Sequence, residues 1–311
     1  MKVLIIRPPA LGDTLMLMPA IVQLKASVEI SLVGRYPGIY FLSQYVHHCI
    51  DYEGPGWHGL FLRRMDNASH LSIPQAHRIV AFLRDPEGNV SNNLKAKLPS
   101  ASVHLFPAFP PKGEKIHVAF YLAQCLQKAG LPIDPMKSLD EAFKRSLLEE
   151  KSPSVFTGRI ILHPGSGGQK KNLPPDFWLK MIKAFSKTSF SEKGQLTLLL
   201  GPAEEQVHSF YRKNLGQRDA EMLFSPDKEE LVSLLRQTSL YVGHDSGITH
   251  LAAMLGTPTI ALFKNSSVYQ WRPLGPAVKV IKVEESSQGL ITSILREGDK
   301  LAPFGAPDAG C

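Results

Sequence analysis

The sequence predicts an α/β protein built as two Rossmann-like, doubly wound domains with parallel sheets. Three observations predict it. Short apolar runs alternate with amphipathic segments along most of the 311 residues, the order that builds parallel sheets covered by helices on both faces. The alternation begins twice, at Lys2–Ile6 and again at Arg159–His163. Between these stretches, residues 131–157 lack strand character and hold Pro132, Pro135 and Pro153, which marks a linker region. A chain of this length suffices for two domains of ordinary size. They are placed at 1–150 and 151–311, with the last helix able to pack back on the first domain.

In the first half, Lys2–Ile6 reads as a buried strand, followed by a loop with Pro8, Pro9 and Gly12. A helix from Asp13 to Ala26 comes next, which Pro19 is expected to kink. Val28–Val33 is the next strand, with shorter ones expected at 46–52, 69–73 and 101–106. Helices are expected at 57–66, 75–84 and 115–129; in the last, His117, Tyr121, Gln124 and Lys128 fall at helical spacing. A charged helical piece, 140–151, lies in the linker region. The second half reads helix 175–187, strand 195–200, helix 203–214, strand 220–224, helix 227–236, strand 239–243, helix 246–255 and strand 259–263. A strand at 278–283 and a helix near 287–297 close it, and the tail after Pro303 is irregular.

Composition narrows the function. With 43% hydrophobic and 20% charged residues the chain has the make-up of a soluble globular protein. Its net charge of +7 favours anionic partners: phosphates, acidic sugars or an anionic membrane surface. No dense Lys/Arg run or basic stripe with interleaved aromatics supports nucleic-acid binding. Cys49, Cys125 and Cys311 are odd in number and far apart, so neither a zinc site nor a disulfide framework is expected, and a reducing cytoplasm is. The apolar run Val3–Ile6 stops at Arg7-Pro8-Pro9 and does not read as a signal peptide. No stretch reaches the ~20 apolar residues of a membrane span.

Ligands of open α/β sheets sit beyond the carboxyl ends of the strands, and every polar motif here falls at such a position, facing an expected cleft between the domains. His244-Asp245-Ser246-Gly247, with His250 one turn on, joins a buried strand to a small-residue helix. Unpaired N–H groups and the helix dipole make that junction a seat for phosphate, although Asp245 serves equally as a helix cap. His163-Pro164-Gly165-Ser166-Gly167-Gly168-Gln169-Lys170-Lys171 follows the first strand of the second half. Its glycines let backbone amides line a phosphate, Ser166 adds a hydroxyl, and Lys171 adds a charge; a flexible loop with solvated lysines accounts for it as well. Gly201-Pro202-Ala203-Glu204-Glu205 ends the next strand, so its acids suit ribose hydroxyls or simply the helix dipole. In the first half, Gly12 permits a close approach, and Asp13 is either an N-cap or a general base. A helix N-terminus weakens a carboxylate as a base, so Asp13 would accept its proton late, once bond formation has acidified the attacking hydroxyl. Arg63, Arg64 and Arg78 are candidates to meet acidic groups of a substrate, or solvated helix faces. No Asp-x-Asp pair is present to hold a metal–diphosphate, so no metal or other cofactor is demanded.

At these residues the chain resembles the heptosyltransferase family of glycosyltransferases, family nine. The anchors are Ile6 to Asp13, His163 to Ser166 with Lys171, Gly201 to Glu204, His244 to Ala253 followed by Leu255 to Pro258, and Trp271 to Pro276. The resemblance implies a GT-B fold with the nucleotide-sugar donor on the C-terminal domain and the acceptor on the N-terminal one. It implies metal-independent, inverting transfer, with ADP-heptose as the leading donor and an anionic lipopolysaccharide-core saccharide or glycolipid as acceptor at the inner membrane face. Asp13 would be the base. Gly12, Ser166, Gly167 and Lys171 would serve the diphosphate, Glu204 (or Glu205) the ribose, and Asp245, Ser246, Gly247 and His250 the diphosphate and sugar. A nucleotide-sugar epimerase and a non-catalytic nucleotide-sugar-binding protein would use the same residues. The chain departs from the family at Asn172 and Leu173, where a basic residue and tryptophan are usual, and at Lys264-Asn265-Ser266, in place of Gly-Pro-Thr.

Overall fold

Eleven strands among the described residues form two sheets, and every pairing is parallel. The computed structural model describes residues 1–65, 71–111, 113–148, 158–188, 195–216, 219–284 and 286–302. The chain divides into two compact units, Met1–Glu141 and Ala142–Cys311. That division falls inside the helix Pro135–Lys144; the boundary expected at 150/151 lies outside the described residues.

In the first unit β1 (Lys2–Ile6), β2 (Glu29–Gly34), β3 (His48–Asp51), β4 (Arg78–Ala81) and β5 (Ser102–Leu105) lie in the order β3-β2-β1-β4-β5. Val3–Ile6 and Ile79–Ala81 are buried, as continuous apolar runs must be when helices cover both faces. The chain winds outward from β1 to β3, then returns to β4 on the other side of β1. Loops leaving β1 and β4 therefore part in opposite directions and open a crevice beyond their carboxyl ends. Pro8, Pro9 and the turn bearing Asp13 follow β1 at this point.

The second unit repeats the device. Its strands are β6 (Arg159–His163), β7 (Leu196–Leu200), β8 (Glu221–Phe224), β9 (Thr238–His244), β10 (Thr259–Phe263) and β11 (Val278–Lys282), in the order β11-β10-β9-β6-β7-β8. Here the winding reverses between β6 and β9. The central strand β9 is buried along its whole length. Phe177, Trp178, Met181, Ile182 and Phe185 of the helix Pro175–Phe185 pack on the sheet, and so do Leu290, Ile291 and Ile294 of the last helix, Ser287–Leu301. The last helix thus spends its apolar face on the core of the second unit.

Several elements differ from expectation, each for a local reason. The helix expected from Asp13 to Ala26 is two, Leu11–Leu15 and Met18–Leu24, because Pro19 takes the first turn of the second helix rather than kinking one long helix. Residues 75–84 hold β4 and not a helix: the β-branched pair Ile79-Val80 is buried between two parallel neighbours. The expected helix at 57–66 is a short 3-10 turn, Trp57–Phe61. Residues 71–73 form no strand, and the rest of the stretch expected at 69–73 lies outside the described residues. The helix Asn89–Lys97 has too polar a sequence to announce itself. Its start is fixed by Asp85, whose two carboxylate oxygens accept the N–H groups of Val90 and Ser91, both at 2.9 Å.

Trp178 joins this core to the functional end of the sheet, with its ring edge-on to His244 at the end of β9, centroids 5.2 Å apart. Trp178→Ala is expected to lower stability by about 3–5 kcal/mol, read as a shift in the urea midpoint followed by circular dichroism. A loss under about 1 kcal/mol would show that the site end of β9 does not lean on this ring.

Candidate active site

Asp245 follows β9 directly, and its carboxylate is only 4% exposed. A buried carboxylate must be paired. Oδ2 accepts from Lys171 Nζ at 2.7 Å, and Oδ1 lies 3.4 Å from His250 Nε2. Burial pushes the Asp245 carboxyl up, but the bond and charge from His250 and the bond from Lys171 outweigh it and hold the group well below the usual carboxylate range. The site thus keeps a fixed anion between two side chains that arrive from different segments. Lys171 ends the short turn Gln169–Lys171, and its side chain remains 38% exposed.

The cap of the helix Gly247–Met254 is Ser246, not Asp245: Ser246 Oγ accepts the Thr249 N–H at 3.3 Å. That frees Asp245 for its ion pairs. Behind the cap runs a buried hydroxyl chain. Ser246 Oγ lies 3.0 Å from Thr249 Oγ1, Thr249 Oγ1 lies 3.1 Å from the Tyr241 hydroxyl, and that hydroxyl lies 2.8 Å from His163 Nδ1. Burial and the neighbouring His244 push the His163 imidazole down to about 3, so it is neutral. The chain fixes the β6 end, the β9 strand and the helix start relative to one another.

Glu204 is also 4% exposed and turned inward. Its Oε2 accepts the Gly201 N–H at 2.8 Å and lies 3.9 Å from His163 Nε2, while Oε1 has no partner. Burial raises its carboxyl above the usual range, and the Gly201 bond offsets part of this. Gly165 makes room for it: a Cβ there would stand 1.8 Å from Glu204 Oε1. Glu205 points to solvent. Ser166 faces inward too, donating to Asn172 Oδ1 at 2.6 Å. Gly167 is exposed with open space about it.

The segments around Lys171 are tied down by bonds to Lys264, Asn265 and His244. Asn265 Nδ2 donates to the Lys170 carbonyl at 2.6 Å, Lys264 Nζ donates to the Asn172 carbonyl at 3.4 Å, and the Leu173 N–H donates to His244 Nε2 at 2.9 Å. Burial, with Lys264 nearby, pushes His244 down to about 4, leaving it a neutral acceptor.

Lys171, Asp245, Ser246, Gly247 and His250 therefore come together at the β6/β9 reversal. Gly12 and Asp13 lie in the first unit, in the first turn of the helix Leu11–Leu15, whose cap position is Ala10. Asp13 is thus not the cap. Its carbonyl accepts from the guanidinium of Arg7 at 3.2 Å. Arg63 and Arg64 are exposed after the turn Trp57–Phe61. Arg78 opens β4 opposite Val3, at the far end of the sheet from Asp13, and donates to the Ala129 carbonyl; it closes the end of the helix Val118–Lys128 instead of facing the crevice. Sequence reasoning gave Gly165 a phosphate-lining role and not that of making room for Glu204, and it missed Tyr241 and Thr249. Among the described residues no group of three or more His, Cys, Asp or Glu side chains is placed to hold a metal ion.

Comparison with known proteins places these features in a family. A model of glycosyltransferase family 9 (heptosyltransferase) matches residues 101–292. Lipopolysaccharide heptosyltransferase 1 of Campylobacter coli is 27% identical over 138 residues, an alignment that spans 43% of this chain and 39% of the length of that relative. A family 9 glycosyltransferase from Veillonella parvula shares the fold, with TM-score 0.67, 15% identity and coverage of 96% of this chain and 97% of that one. E. coli heptosyltransferase WaaC with ADP shares it too, with TM-score 0.65, 12% identity and coverage of 96% and 100%.

Two outcomes follow from this geometry. Gly165→Ala is expected to cost about 1–3 kcal/mol by forcing the Glu204 carboxylate aside, seen as a lower melting temperature; an unchanged melt would mean the loop yields freely. The Asp245 carboxyl is held below its unfolded value of about 3.9, so its stabilisation is complete above that value and is lost as pH falls through the acid range. Asp245→Asn should therefore flatten the acid limb of the stability profile, measured by urea midpoints from about pH 6 to about pH 3. An acid limb identical to wild type would place the titration elsewhere.

Proposed function

Because the chain belongs to glycosyltransferase family 9, the heptosyltransferases, we propose that it moves a heptose from ADP-heptose to an anionic saccharide of the lipopolysaccharide-core type, with inversion at the anomeric carbon. The observation that carries this reading is the paired cluster of Lys171, Asp245 and His250 at the winding reversal of one sheet, matched by Asp13 at the reversal of the other. The solved structure of a relative with ADP supports the nucleotide. The net charge of +7 supports an anionic acceptor. No helix among the described residues is long and apolar enough to cross a membrane, so contact with the inner membrane face would be peripheral.

In the proposed reaction the acceptor hydroxyl attacks the anomeric carbon as the bond to the diphosphate breaks. The Asp13 carboxylate takes the hydroxyl proton late in the step, when the forming C–O bond has made it acidic. Negative charge grows on the departing diphosphate, where Lys171 and the amino end of the helix Gly247–Met254 stabilise it. Asp245 acts on the sugar hydroxyls as acceptor and holds Lys171 and His250 in place. Glu204, close beneath the Gly165 loop, is assigned to the ribose side of the donor. No step of this scheme is routed through a metal.

Asp13→Asn is expected to lower the transfer rate by about 10²–10⁴-fold while the calorimetric Kd for ADP-heptose stays within about threefold of wild type. Turnover near wild type would refute the base. Donor identity is tested by thermal shift: a ligand at 100 times its Kd adds about 2.7 kcal/mol of stability. A larger shift with another nucleotide sugar would move the assignment to that donor.

A further inference from the structure

We propose that the first unit holds, beside the Asp13 turn, a subsite for a flat apolar group carried on an acidic saccharide, so that the preferred acceptor is an aryl-substituted saccharide acid and not a bare sugar acid; the proposal rests on the reading of Asp13 as the base. A pocket of about 610 Å³ lies beyond the carboxyl ends of β1, β4 and β5, within the range of about 300–1,000 Å³ usual for small-molecule sites. Its walls are unlike those of a sugar site. Pro8, Pro9, Pro107, Pro110 and Pro111 line it, and proline has no N–H to offer. Phe82, just after β4, and Phe109, in the segment that follows β5, face it, and Phe109 is left 40% exposed. Hydroxyl groups seated against such walls would lose water and gain no partner. A flat apolar group would instead cover the aromatic and proline faces.

The charge requirement comes from beneath and from the rim. Arg7 is fully buried, with its guanidinium carbon 5.4 Å from the ring centre of Phe82 and 5.5 Å from that of Phe109. Its Nε donates to the Asp13 carbonyl at 3.2 Å and its Nη1 to the Ala108 carbonyl at 2.7 Å, while Nη2 has no partner. The Asp13 charge already acts on this cation, and the unpaired nitrogen leaves it able to favour a further anion. Arg84, exposed on the pocket lining, supplies a second cation. Arg7 also couples the two parts of the site. One guanidinium bonds the backbone of the base's turn and the backbone of the pocket wall, so the wall is held in register with Asp13.

The test measures binding to the full chain by calorimetry with three probes: 4-nitrophenyl β-D-glucuronide, 4-nitrophenyl β-D-glucoside and D-glucuronic acid. The aryl glucuronide is expected to bind about tenfold more tightly than either of the others. Phe109→Ala should erase its advantage over glucuronic acid, and Arg84→Ala its advantage over the aryl glucoside, both at unchanged melting temperature. Equal binding of glucuronic acid and the aryl glucuronide, or an aryl preference untouched by Phe109→Ala, would overturn the proposal, as would no binding of any probe. Asp13→Asn separates the two readings. If that variant keeps full transfer while the aryl preference stands, the base assignment fails and the pocket remains. If it abolishes transfer and no aryl preference exists, the base stands and the pocket fails.

Discussion

A charged carboxylate inside a protein must be answered by partners, and at Asp245 that requirement organises the site. The group is almost wholly removed from water, yet it is held ionised by Lys171 and His250. Losing one partner of a buried pair leaves an uncompensated charge, at a cost of about 3–5 kcal/mol. The loop around Lys171 is therefore constrained, and the surrounding bonds supply the constraint. Asn265 holds the Lys170 carbonyl, Lys264 the Asn172 carbonyl, and His244 the Leu173 N–H. Trp178 then fixes His244 from the core side. The route runs from a packed helix, through a neutral histidine acting as acceptor, to the segment that carries the Lys171 ammonium.

The residues that the resemblance singled out as departures engage one short stretch. Asn172 takes the Ser166 hydroxyl through its side chain, and Lys264 and Asn265, which follow β10, grip the Lys170–Asn172 backbone. The Leu173 N–H that His244 accepts is a backbone group that any residue but proline supplies, so that bond does not depend on leucine.

The fold was legible in the sequence wherever burial is symmetric. Strands such as Arg159–His163 and Thr259–Phe263 lie between parallel neighbours with helices on both faces, so they must be unbroken apolar runs, and such runs are visible. Legibility failed where a tertiary partner decides. Ile79-Val80 is a strand because β1 and β5 flank it, and the polar helix Asn89–Lys97 exists because Asp85 holds its first N–H groups and Leu94 and Val90 reach the core. The site divides in the same way. The Lys171, Asp245 and His250 cluster could be anticipated from charged residues at two strand ends. Gly165 could not, because its role is to leave space for a side chain 39 positions away, in Glu204. Arg78 was misplaced because sequence carries no record of which end of a strand a residue occupies until the pairing is known.

Each unit buries an ionisable group at its winding reversal: a cation in the first, Arg7, and an anion in the second, Asp245, where the Glu204 carboxyl is buried as well. Both follow from the topology. Loops part at a reversal, and a buried charge with several hydrogen-bond partners is a strong way to tie them together. Arg7 collects the carbonyls of Asp13 and Ala108; Asp245 collects the Lys171 ammonium and the His250 imidazole. Burial pushes the Arg7 guanidinium down to about 10, partly offset by the Asp13 charge, so it stays protonated at neutral pH. Its charge is then permanent, like that of Asp245. Both charges act on the loops that leave the central strands, and so on the residues assigned to the reaction.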